Sequence, residues 1–430
     1  MNDATSLSPL LYNNADDTVF VIDIPASITA AQYLPGQTPS SRVLLSCVPL
    51  PSPYASTEPK SAAAHARTQN HNDDSVTHSI YAALITEAQS EIRQRSSAQS
   101  PFCLTRHFRG TVEQSESRRA SKNNRKRGFG DDDNDSKTVM LPSSHAQQNS
   151  QHDELLILEN DTSDLLPIVL SSSQSPSSPI IAAYTHVLPP HNTILLSLIT
   201  PASMSTFRRT ARSHTPHTFG RFDSILLDPP WPNRSVTRSS SYSTASSLSS
   251  LTSLLLAMDL DIHIAPGGWV GMWITNKAAV RAAALELFDT WGVGLCEEWV
   301  WCKVTSSGEP VSKVDGVWRK PYEVCLIGQR GDGTAATWDE EQGDVKRRVL
   351  FGVPDLHSRK PCLKELVERL LLKQRRQEKY AALEVFARYA VAGWMSWGDE
   401  AVKYNGREWW IEKMEEDGDG SSEFAEGQKS

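Results

Sequence analysis

The chain predicts an α/β protein: a Rossmann-like sheet over residues 154–410, preceded by a partly disordered N-terminal region. Three observations carry that reading. From about residue 154, strand-like apolar runs alternate with helix-like periods. One run, Ser224-Ile225-Leu226-Leu227, stops at Asp228-Pro229-Pro230-Trp231, which sets an aspartate at the carboxyl end of a buried strand. Open α/β sheets bind their ligands at that end. All twelve tryptophans lie at or after Trp231, so the packed core is expected in the C-terminal half.

In chain order, residues 18–24 and 42–48 read as strands and 79–95 as an amphipathic helix. Residues 51–77 are rich in Ser, Pro, Ala and His and lack the apolar content to fold alone. Residues 1–110 are therefore expected to be a partly disordered accessory region, and residues 1–152, which hold none of the site motifs, to contribute little to cofactor binding. Residues 111–153 form a linker holding a basic cluster (118–127) and then an acidic one (131–135). The basic cluster reads as a nuclear import signal or nucleic-acid contact; the plainer reading is a solvated linker. Residues 192–199 read as a strand, and the leucines of the Ser-rich stretch 239–256 suit a helix. Strand 268–275 leads into Asn276 as N-cap of a helix over 277–291, closed by Gly292. Residues 298–304 and 322–328 read as strands, 363–376 as an amphipathic helix and 380–387 as the last clear strand. Residues 411–430 hold seven acidic residues against two lysines, a tail of charge −5 within a net −8 for the chain.

Several classes are disfavoured. No Gly-rich dinucleotide fingerprint follows a strand and no phosphate-binding P-loop is present, which weighs against nicotinamide enzymes and nucleotidases. Six scattered cysteines without a C-x-x-C pair suggest reduced thiols in an intracellular protein, and no cluster has metal-ligand spacing. No N-terminal stretch reads as a signal peptide, and no run is long enough to span a membrane.

Asp228-Pro229-Pro230-Trp231 is followed by Asn233-Arg234-Ser235-Val236. Downstream come Lys320-Pro321-Tyr322-Glu323, His357-Ser358-Arg359-Lys360-Pro361, Leu383-Glu384-Val385-Phe386-Ala387-Arg388 and Gly393-Trp394-Met395-Ser396-Trp397-Gly398-Asp399-Glu400. In this order, over about residues 190–410, the chain resembles the METTL-type N6-adenine methyltransferases, most nearly the branch called methyltransferase-like protein four. The resemblance implies an S-adenosylmethionine-dependent enzyme with circularly permuted motif order that methylates adenine N6 in nucleic acid. RNA is the first choice, and the branch's substrates include 2′-O-methylated adenosine of small nuclear RNA and adenine in DNA. A catalytically silent nucleic-acid-binding scaffold is the main rival; a protein or small-molecule methyltransferase leaves the D-P-P-W unexplained. A protein partner is open.

The chemistry suits these residue types. The lone pair of an adenine amino group is delocalised into the ring, so the nitrogen must be oriented. An ionised Asp228 can accept one N–H, a carbonyl fixed by Pro229-Pro230 the other, and Trp231 offers a stacking face. By resemblance, Asp228, Lys360, Glu384, Arg388, Asp399 and Glu400 line the cofactor pocket. Glu323 matches a position near the substrate adenine and Lys360 borders both ligands. Asn233, Arg234 and Ser235 can hold sugar and phosphate. Tyr322 is counted with the substrate set, although it and Trp273 read more readily as core aromatics. Arg234, Arg238, Lys320, Arg359 and Lys360 are expected to form a positive rim. Asp399 stands where the family usually has Asn, Tyr389 where it has a polar residue, and Val391-Ala392 replace a Gln-Pro. An acidic residue usual after the preceding strand is missing, with Ser197 near its place.

Overall fold

A computed structural model describes residues 8–37, 42–55, 61, 75–95, 102–108, 137–141, 155–172, 182–232, 247–316, 320–331, 345–373 and 379–412. The basic and acidic clusters of the linker, Asn233, Arg234, Ser235, Arg238 and most of the acidic tail lie outside the described residues.

The strands are β1 (Leu10–Asn13), β2 (Val19–Ile22), β3 (Arg42–Leu44), β4 (Lys137–Leu141), β5 (Leu156–Asn160), β6 (Leu166–Ser172), β7 (Ala182–Leu188), β8 (Asn192–Leu196), β9 (Phe222–Leu227), β10 (Ile264–Ile274), β11 (Val293–Lys303), β12 (Tyr322–Arg330), β13 (Lys346–Gly352), β14 (Ala382–Val385), β15 (Met395–Gly398) and β16 (Trp410–Glu412). The principal helices are α1 (Ile24–Ala30), α2 (Ser75–Arg95), α3 (Pro201–His214), α4 (Leu248–Ala257) and α5 (Ala278–Thr290). Eleven strands join in one sheet, ordered β1-β2-β13-β11-β12-β10-β9-β14-β15-β8-β5. This is the expected Rossmann-like α/β architecture. Strands β14 and β15, late in the chain, insert between β8 and β9 and run parallel to both.

That insertion positions the site. Moving out from β9, the chain order climbs through β10 on one side and passes to β14 on the other. The crevice at such a reversal, outside the carboxyl ends of the strands, is where doubly wound sheets bind ligands. All six residues of β9 are buried, as a strand covered on both faces requires. On one face α2, α3, α4 and α5 pack against Ile225, Leu227, Val270 and Met272. Phe207 of α3 stacks on Trp397 of β15 with ring centroids 4.4 Å apart. On the other face α1, Leu366, Val367, Trp394 and Tyr404 pack against Leu226 and Trp273.

The sheet does not begin at residue 154. β2 pairs in parallel with β13, and Phe20, Ile24 and Ile28 are fully buried, so residues expected to be accessory complete the sheet. Two local expectations also change. The segment expected as helix 363–376 is a short helix, Lys364–Leu366, continuing as a π-helix, Val367–Leu371. Buried Lys364 donates there to the carbonyls of Tyr33 and Ala392, so tertiary bonds fix its first turn. Asn276 caps no helix: its side-chain amide donates to the Tyr322 carbonyl at 2.6 Å, and Lys277 is the N-cap residue of α5. No helix among the described residues is long and apolar enough to cross a membrane.

Candidate active site

Asp228 follows β9 directly, and its backbone N–H reaches the Val385 carbonyl of β14 at 3.3 Å. The turn after it is fixed twice. The Trp231 N–H donates to the Pro229 carbonyl at 2.8 Å, and the Trp231 indole N–H donates to the Trp273 carbonyl at 2.7 Å. Lys277 then donates to the Pro232 carbonyl at 2.6 Å, tying the turn to the end of β10. Trp231 is only 6% exposed. Its indole N–H anchors the turn, and the residue lines a cleft together with Asp228.

Three charged side chains gather beside Asp228. Lys360 approaches Asp228 Oδ1 at 3.3 Å and Glu323 Oε2 at 2.6 Å. Lys303 pairs with the other oxygen of Glu323. Burial alone would depress the Lys360 ammonium; the Asp228 and Glu323 carboxylates overrule it and raise its pKa. Burial likewise pushes Glu323 up, but Lys360 and Lys303 outweigh it and hold the carboxyl well below its ordinary value. Two basic and two acidic side chains thus pair with one another in a single cluster. Lys303 was missed in the sequence, although it closes strand β11 at the same sheet edge as Asp228.

Glu384 of β14 sits differently. Burial first, and then the neighbouring Asp228 charge, raise its carboxyl to about 8 against the pull of Arg388. Among the described residues, no hydrogen-bond donor meets its side chain. It lines a cavity of about 30 Å³ together with Asp228, Lys360, Arg388 and Tyr389. That is room for little more than a water. The walls at Asp228, Lys360 and Arg388 are shared with a cleft of about 1470 Å³.

The remaining expected residues divide. Arg388 is present at the site, donating to the Ser358 carbonyl at 2.6 Å and facing Glu400 at 3.3 Å. Phe386 (φ 60°) and Ser358 (φ 67°) both hold left-handed backbone, as residues at functional loops often do. Glu400 spends its carboxylate on Arg388 and Lys403. Asp399 is exposed beside it and does not line the cavity. Tyr322 is 1% exposed and its hydroxyl bonds His78 at 2.8 Å, although the residue lines the same cleft as Asp228. Trp273 is buried, with Lys360 5.0 Å from its ring centre. Arg359 forms no rim: it is 2% exposed, paired with Asp355 and packed on the Tyr404 ring. Ser197 is buried and accepts the Trp397 indole N–H at 3.1 Å.

The profile of the MT-A70 family matches residues 222–400, the stretch from the start of β9 to Glu400. Over that stretch the chain is similar to the MT-A70 family. Within that match lie Asp228, Glu323, Lys360 and Glu384 together. The N6-methyladenosine RNA methyltransferase MTA1 of Cryphonectria parasitica is 44% identical over 195 residues, 44% of this chain and 55% of that protein. The N(6)-adenine-specific methyltransferase METTL4 of Homo sapiens is 32% identical over 283 residues, 63% of this chain and 55% of that protein. The DNA N6-methyl methyltransferase of Caenorhabditis elegans is 28% identical over 170 residues, 39% of this chain and 42% of that protein. The chain spans about half the length of the curated relatives it matches.

Proposed function

We propose that the protein is an S-adenosylmethionine-dependent methyltransferase that methylates the exocyclic N6 of adenine in nucleic acid, RNA before DNA. The observation that carries this is an intact Asp228-Pro229-Pro230 turn at the switch point of the sheet, beside the unpaired Glu384 carboxyl of β14. The MT-A70 match supports the reaction class. RNA is favoured because relatives at 44% and 37% identity are RNA methyltransferases by name, against 28% for the DNA enzyme. The basic cluster at 118–127 supports a nuclear site of action.

The chain's residues fit the cofactor. A buried carboxyl lacking a donor is suited to ribose hydroxyls, which supply O–H groups to it. S-adenosylmethionine would supply an electrophilic methyl group at the mouth of this cavity. At about 30 Å³ the cavity is far smaller than the 300–1,000 Å³ of ordinary ligand pockets, so its walls have to widen to admit the cofactor. Lys360 engages Oδ1 of Asp228, leaving Oδ2 to accept one adenine N–H. The Pro229 carbonyl, with one lone pair on the Trp231 N–H, keeps its second for the other. The nitrogen loses its proton after methyl transfer, so no general base is needed.

The tight cavity also favours a second reading, a scaffold that binds nucleic acid without cofactor. Calorimetry with S-adenosylmethionine separates the two. Methyl transfer to RNA and DNA oligonucleotides, with and without a 2′-O-methyl on the target adenosine, then tests the function. Absence of transfer to every oligonucleotide, in a protein that binds cofactor, would sink the adenine reading.

A further inference from the structure

Residues 42–55 cross the outside of the molecule as a strap tied at successive points. β3 pairs with β16. The Ser46 N–H then donates to the His107 carbonyl at 2.7 Å, and the Cys47 N–H to Asp355 Oδ1 at 3.1 Å. Further on, the Leu50 carbonyl accepts the Ser306 N–H at 2.9 Å, and the Tyr54 N–H donates to the Val311 carbonyl at 2.9 Å. Between those ties run Pro49, Pro51 and Pro53, each fixing φ and stiffening the strap. Its end, Pro53, Tyr54 and Ala55, lines the same 1470 Å³ cleft as Asp228.

Tyr54 is 61% exposed there. A large aromatic held out into water by a rigid, hydrogen-bonded backbone gains nothing for the fold. Arg93 of α2 and Lys313, both exposed, line the same cleft, against the exposed carboxylate of Glu309. The cleft exceeds the 300–1,000 Å³ typical of a pocket for one small ligand, so it has room beyond a target nucleoside. Continuity with the Asp228 site, exposed cations and an aromatic platform together describe a groove for a single strand.

We infer that the strap forms one wall of a single-stranded nucleic-acid groove in which Tyr54 stacks on a base flanking the target adenine, with Arg93 and Lys313 beside the backbone. This rests on the adenine-methyltransferase reading. Stacking is sequence-tolerant because every base has a π face, so Tyr54 contributes affinity without choosing the target.

The test uses the full chain with Tyr54→Ala and Tyr54→Phe. Labelled single-stranded RNA and DNA of about twelve nucleotides, within the site sizes of single-strand binders, are titrated by anisotropy. Methyl transfer, S-adenosylmethionine affinity and melting are measured beside them. Tyr54→Ala should raise Kd and KM for the oligonucleotide about tenfold, in the range one stacked base is worth. Saturated kcat, cofactor affinity and melting should stay unchanged, and Tyr54→Phe should restore wild-type binding. If wild type methylates the strand and Tyr54→Ala binds it equally well, the groove inference fails while the function stands. If wild type neither binds nor methylates any strand, the methyltransferase reading falls and takes the inference with it.

Discussion

Asp228 directly follows β9 and Glu384 lies on the neighbouring β14, yet their surroundings differ. Asp228 has Lys360 to pair with; Glu384 does not. Replacing Asp228 with Asn substitutes an NH₂ for one acceptor oxygen and removes the charge that steadies the developing ammonium. Loss of such a transition-state bond costs about 3–4 kcal/mol, so single-turnover methyl transfer should fall roughly a hundred- to a thousandfold. Melting should barely change, since Glu323 still holds Lys360 and Asp228 is at a strand end. Equal rates would return the motif to a structural turn. For Glu384 the readout is pH. Its folded pKa is about 8 against an ordinary 4.5. Between those values the unfolded chain ionises while the folded protein keeps the proton, so this group's contribution to stability falls as pH rises through the window. Glu384→Gln should therefore melt above wild type at pH 8, with the difference closing towards pH 5, while cofactor affinity drops. A melting difference that does not vary with pH would show that the carboxyl is not held neutral.

Among the elements, β2 and α1 decide what can be cut away. Losing β2 bares the edge of β13, whose Val349, Leu350 and Phe351 are buried. α1 also reaches the cofactor side: Ser27 Oγ accepts the Cys362 N–H at 2.9 Å, two residues beyond Lys360. Gln32, just after α1, donates to the Ala390 carbonyl at 2.9 Å. A truncation beginning at residue 154 should lose cooperative melting and, with it, binding of S-adenosylmethionine. Single large-to-small changes at buried positions such as Phe20 cost about 3–5 kcal/mol, and the truncation removes several together. A soluble truncation that melts cooperatively and binds cofactor with wild-type affinity would show the N-terminal strands to be dispensable.

Across the whole molecule the charge balance is adverse for a polyanion ligand, at −8 overall. Lys303 and Lys360 are paired with Asp228 and Glu323 in the inner cluster, and Arg359 is spent on Asp355. Among the described residues lining the cleft, Arg93 and Lys313 are the exposed cations named above that remain to displace counterions. At a slope of about −0.7 per phosphate contact on single strands, two or three contacts give a log–log salt slope of roughly −2. Affinity measured across a salt series should show that shallow dependence. A slope several times steeper would place a basic surface outside the described residues, such as the cluster at 118–127, in the contact.

What the sequence determined by itself was local chemistry in sequence order. The apolar run before Asp228, the two prolines after it and the spacing of the later motifs indicated the strand, the turn, the family resemblance and the permuted order. Those signals are readable because strand burial and proline geometry act on neighbouring residues. Tertiary structure alone decided which polar groups are spent. Arg359, Tyr322 and Trp231 carry the residue types of a site yet bond partners inside the protein, and Asn276 bonds across to β12 instead of capping α5. It also decided that the N-terminal segments near residues 20 and 50, expected to be accessory, complete the sheet and wall the cleft. Those outcomes depend on partners hundreds of residues away, and neither period nor composition along the chain records who a side chain will meet.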